Sequence, residues 1–289
     1  MFERYLTRAA HRARELSGHT PQRVVFLHIP KCGGSSLNSH FKSNFGSQRS
    51  GRTVMLDSME GSASDPQALA RARAALYVSG HFGWNTLAAV DQGAFRLTML
   101  REPYHRMVSL YLYARSVEHT VHPGFVRVVA LAKRLSFDAF CLTADPLARA
   151  LIDNTQARAL AHDYAPFVER DGDAVVRAAT ANLASLDFVA DTPDLDCAFP
   201  QLARRTRTAL IKSKTKLNRT RHAPLRLISR RDFLADPDLR ARIELDLEIY
   251  ERFRLARALC PRSQRLGQWL LRFNSSLRRH EFETTRSLP

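Results

Sequence analysis

The chain has 289 residues, 45% hydrophobic and 25% charged, enough to bury a substantial core and near the upper size for one domain. Lys and Arg number 44 against 28 Asp and Glu, a formal charge of +16. The arginines are spread along the chain without a run of five or six like charges, and no helix-turn-helix, zinc-finger or RNP-like string appears, so a general anion-attracting surface is expected rather than a dedicated nucleic-acid groove.

Residues 1–20 read as a basic amphipathic helix, with Phe2, Tyr5, Leu6, Ala9, Ala13 and Leu16 on one side. They lack the apolar centre of a secretory signal, and nowhere do eighteen apolar residues run uninterrupted. Cys32, Cys141, Cys197 and Cys260 are widely spaced, with no CxxC and no histidine cluster, which argues against a zinc site and for a reducing compartment. A soluble, cytoplasmic protein is expected.

"RVVFLHI" (23–29) is the continuous apolar run of a buried parallel strand. It enters "PKCGGSSL", after which Leu37 and Phe41 recur at helical spacing. With a helix starting near Gly34, the N–H groups of residues 32–36 line a concavity at the positive helix end, suited to phosphate or sulfate. Gly33 and Gly34 allow close approach, Ser35 and Ser36 add hydroxyls, and Lys31 supplies a charge at the rim. The plain alternative is a tight turn that binds nothing.

The lysine precedes the glycines, so this is not the GxxxxGK[ST] loop of nucleoside triphosphatases. A cysteine-phosphatase reading of Cys32 needs an arginine six positions on, where Asn38 stands. Residues 46–66, rich in Gly, Ser and Asp, read as an exposed loop.

"ALYVSGH" (75–81) and "FRLTMLR" (95–101) read as further strands ending in polar groups, where open α/β sheets place their ligands. A helix follows over 103–116, with Pro103 in its first turn and Ser109 about a turn and a half in. Arg101 and Ser109 then make a second anion-binding pair, unless Arg101 merely pairs with Glu102. Residues 117–135 read as a loop with no readable code. Helices are expected at about 147–161, 173–185 and 239–259, with a strand at 186–190. The alternation gives a mostly parallel sheet flanked by helices in a single α/β domain spanning 1–289, core about 23–260. The tail 262–280, with five arginines and no acid, reads as an amphipathic helix that either docks on the domain or lies peripherally on an anionic membrane.

Together "HIPKCGGSSL" and "LREPYHRMVSLY" resemble the 3′-phosphoadenosine 5′-phosphosulfate (PAPS) dependent sulfotransferases, where they correspond to the 5′-phosphosulfate loop and the 3′-phosphate element. "SGHF" (79–82), "DNTQARAL" (153–160), "LDFVADT" (186–192) and "SKTKLNRT" (213–220) resemble the heparan sulfate 2-O-sulfotransferase-like, carbohydrate-modifying branch. The resemblance implies a P-loop-NTPase-like fold, PAPS as co-substrate, no metal, and a hydroxyl acceptor on a carbohydrate or glycoconjugate. Membrane anchor and luminal disulfides of the animal enzymes have no counterpart here, which implies a bacterial-type soluble member.

By the same resemblance, Lys31 contacts the bridging oxygen, Arg101 and Ser109 hold the 3′-phosphate, and His81 is the general base. Lys214, Lys216, Asn218, Arg219 and Thr220 are candidates for phosphate or adenine contacts from a lid at 211–222, which otherwise reads as a solvated loop, and His28, in the strand before the glycine loop, is expected to be structural. Asn154 and Gln156 are either acceptor-orienting or ordinary helix-surface residues. Cys32 replaces the family's usual hydroxyl residue, and its thiol, at a helix start, is expected to be acidified and reactive. The rival class is a non-catalytic protein binding sulfated glycan, nucleic acid or anionic lipid through its basic surface.

Overall fold

The computed structural model describes residues 21–46, 48–119, 123–163, 165, 167–210 and 227–259. The helices expected at 1–20 and 262–280 lie outside these residues, as do Lys214, Lys216, Asn218, Arg219 and Thr220. Five parallel strands form one sheet in the order β2-β3-β1-β4-β5: β1 Val24–Leu27, β2 Thr53–Asp57, β3 Tyr77–His81, β4 Phe95–Leu100 and β5 Phe188–Asp191. This is the α/β class read from the sequence, a P-loop-like parallel sheet flanked by helices.

β1 lies at the centre because all four of its side chains are fully buried. Burying each contributes about 1.5–3 kcal/mol. The helices, in chain order, are α1 Gly34–Phe45, α2 Pro66–Ala74, α3 Trp84–Val90, α4 Pro103–Ser116, α5 Pro123–Arg134, α6 Phe137–Cys141 and α7 Pro146–Ile152. They continue with α8 Thr155–Ala161, α9 Gly172–Ser185, α10 Leu195–Thr206, α11 Arg230–Ala235, α12 Pro237–Ala241 and α13 Glu244–Leu259. No helix among the described residues is long and apolar enough to cross a membrane.

Three expectations need correction. The supposed loop 46–66 contains the edge strand β2, which buries only Thr53 and Leu56 and so leaves a weak apolar signal between Gly- and Ser-rich flanks. The supposed loop 117–135 contains α5. The helix expected over 147–161 breaks at Asp153, because Asn154 adopts a left-handed conformation (φ 46°) and starts α8. Asn154 Oδ1 accepts from the Leu245 and Asp246 amides at 2.9 and 3.3 Å, while its Nδ2 donates to the Ala241 carbonyl at 3.0 Å. Asn154 therefore joins α8 to α13 and is neither mid-helix nor an ordinary helix-surface residue.

α8 spans two strand ends. Near its start Gln156 meets Arg101, just past β4. Just beyond its end the His162 carbonyl and the Asp163 carboxylate accept the amides of Trp84 and Gly83, just past β3.

Candidate active site

The loop after β1 turns sharply. The Cys32 N–H donates to the Ile29 carbonyl at 3.3 Å, and Lys31 (φ 68°) and Gly33 (φ 82°) are both left-handed. Gly33 caps α1 without any side-chain hydrogen bond. The first-turn amides thus point outward as at any uncapped helix start. Cys32 is a correction to the predicted cradle, since its amide is already used within the turn. Ser35 and Ser36 are half-buried on the first turn. Glycine is required at 34, because a Cβ there would fall 2.1 Å from the His28 ring.

Lys31 stretches along α4 with its Nζ 3.7 Å from the centre of the Tyr113 ring, one turn beyond the half-buried Ser109. Burial, and secondarily the charge of Arg101, hold its ammonium down at about 8. The Arg101 guanidinium reaches back to the loop and donates to the Lys31 carbonyl at 3.2 Å. Burial lowers its pKa as well.

Neither cation has a carboxylate ion-pair partner among the described residues. Glu102 is turned away, bonded to the His105 amide at 2.8 Å and to Arg230 at 3.0 Å, which removes the alternative of an Arg101–Glu102 pair. Two unpaired cations brought together against their mutual repulsion, beside an uncapped helix start, form a site that an anion would relieve.

His81 ends β3 opposite Asp57, the last residue of β2. Its Nδ1 lies 3.3 Å from Asp57 Oδ2, while Asp57 Oδ1 accepts from the Met59 amide at 2.8 Å. The imidazole side chain is 39% exposed, so it remains reachable by substrate. A carboxylate on Nδ1 fixes the tautomer and leaves Nε2 as the proton acceptor.

The His28 ring lies 4.7 Å from that of His81 and is held neutral by burial, assisted by the neighbouring His81 and Lys31. Its Nδ1 accepts from the Asn38 amide group at 3.2 Å, and Asn38 Oδ1 accepts from the Tyr77 hydroxyl at 2.5 Å. His28 is a packed residue beneath the glycine turn, as its place in the strand suggested.

Cys32 contradicts the expectation of a reactive thiol. It is fully buried, and burial pushes its pKa up to about 12, a shift that Arg106 and Arg101 only partly offset. The side chain points beneath the loop, away from the outward face where a helix start would stabilise a thiolate.

Sequence reasoning missed Asp57, Tyr113 and the placement of Gln156. For Asp57 a signal was present: "TVMLD" ends in a polar residue as the two recognised strands do. Gln156 is 1% exposed, not a surface residue of a helix.

Comparison with curated proteins returns no match. Residues 19–151, which include β1, the glycine loop, the His81–Asp57 pair and all of α4, match a family model described as Sulfotransferase family. Over these residues, somewhat less than half of its length, the chain is similar to the sulfotransferase family, whose enzymes transfer sulfate from PAPS.

Proposed function

We propose that the chain transfers a sulfuryl group from PAPS to a hydroxyl of a carbohydrate or glycoconjugate. The observation that carries this reading is the pair of cations, Lys31 and Arg101, gathered at the start of α1 without a neutralising carboxylate, beside a histidine oriented by Asp57.

PAPS supplies an activated sulfate: the acceptor oxygen bonds to sulfur while the sulfur–oxygen bond to the 5′-phosphate breaks. The chain's own residues align and stabilise. The amides of the α1 start with Ser35 and Ser36 bind the 5′ anion, and Lys31 offsets charge developing on the departing phosphate oxygen. Arg101, with Ser109 on the neighbouring helix face, binds the 3′-phosphate. His81 Nε2 takes the proton of the acceptor hydroxyl, and Asp57 stabilises the resulting imidazolium.

Radiolabelled PAPS offered with a panel of glycans, glycolipids and small alcohols tests the reading, using wild type, Lys31→Ala and His81→Ala. Transfer by wild type and its loss in both variants is expected. Equal transfer by all three would remove the mechanism. PAPS binding without transfer to any acceptor would return the chain to the non-catalytic class.

A further inference from the structure

We propose that Gln156 is a positioning residue that sets the spacing between the glycine loop and Arg101, so that both phosphates of one nucleotide are gripped together. This rests on the PAPS reading above.

β4 leaves the sheet ladder at Leu100, and the next residue, Arg101, has a main-chain donor and acceptor that need new partners. Gln156 supplies both: its Oε1 accepts from the Arg101 N–H at 3.0 Å and its Nε2 donates to the Arg101 carbonyl at 2.9 Å. The carboxamide acts as one further residue of a neighbouring strand. Its Oε1 also receives the Cys32 thiol at 3.4 Å, from inside the glycine loop.

The Arg101 guanidinium closes the circuit at the Lys31 carbonyl. Loop, arginine and glutamine therefore form a ring of contacts that fixes one cation-bearing segment relative to the other. The ring has a firm base, because the start of α8 is pinned to α13: the Ala157 amide donates to Asp246 Oδ1 at 2.7 Å, and Asn154 receives the Leu245 and Asp246 amides.

A residue with only a packing role changes stability and weakens all nucleotides alike. A spacing role leaves each phosphate pocket intact and loses the benefit of filling both at once. Calorimetric titration of wild type, Gln156→Leu and Gln156→Asn with 3′,5′-diphosphoadenosine, adenosine 5′-monophosphate and adenosine 3′-monophosphate separates the two. Ligand-free melting temperatures are recorded alongside.

In both variants the diphosphate is expected to lose about tenfold in affinity, the worth of one or two hydrogen bonds, while both monophosphates bind as before. An equal loss for all three nucleotides, no loss for the diphosphate, or failure of both variants to fold would each overturn the spacing role. A wild type that ignores the diphosphate overturns the PAPS reading itself and this proposal with it. A wild type that binds it while the variants show no selective loss overturns the spacing role alone.

Discussion

Asp57 and His81 face each other across two paired strand ends, with carboxylate oxygen and Nδ1 3.3 Å apart. The parallel register of β2 and β3 aligns these two residues, and the Met59 amide holds the second carboxylate oxygen. The imidazole is thereby held in one orientation by the fold itself.

Asp57→Asn should lower kcat by about 10- to 100-fold, part of what a well-placed general base contributes. Affinity for 3′,5′-diphosphoadenosine should not change, since Asp57 is remote from both cations in the sheet order. A joint fall in kcat and nucleotide affinity would reduce Asp57 to a packing role.

Lys31, held at about 8, predicts how nucleotide binding responds to pH. The free protein loses this charge as pH rises through about 8, so diphosphate affinity is greatest below that point and declines above it. The ligand-free fold responds oppositely. Between about 8 and the ordinary lysine value near 10.4 the unfolded chain holds more protons, so stability rises with pH in that window. Lys31→Met should accordingly melt no lower than wild type without ligand and lose the rise in melting temperature produced by diphosphate. Differential scanning fluorimetry from pH 6 to about 10 reads both effects.

The buried Cys32 thiol should resist iodoacetamide in the native protein, whereas the exposed Cys197 should react. Mass spectrometry of labelled peptides, before and after urea unfolding, distinguishes them. Rapid native labelling at Cys32 would mean that the loop opens easily.

Gly34→Ala places a methyl group against the His28 ring, and the ring is confined by Phe26, Asn38 and His81. A stability loss of about 1–3 kcal/mol is expected from overpacking. Urea titration measures it. Nucleotide affinity should fall as well, because relief of the clash moves the first turn of α1.

A fully buried strand announces itself as an unbroken apolar run, which made β1 legible, while β3 and β4 were legible as mainly buried β-rich segments that end at polar residues. So were the glycine turn and the proline-led start of α4, whose signals are local. β2 escaped because an edge strand with two buried side chains has no such run, and Asp57 was hidden with it. Gln156 and Arg101 are 55 residues apart, and their partnership depends on where α8 crosses the sheet. The direction of the Cys32 side chain was equally illegible, since a residue at a helix start can face either the anion or the core.

The seven residues of α8 form a crossbar between two strand ends, fastened at one end to Arg101 just past β4 and, through Asp163, to Gly83 just past β3 at the other. The position of this one helix thus bears on both Arg101 and the backbone beyond His81. On the proposed reading, the segment that grips the donor and the segment that carries the base therefore share a single support.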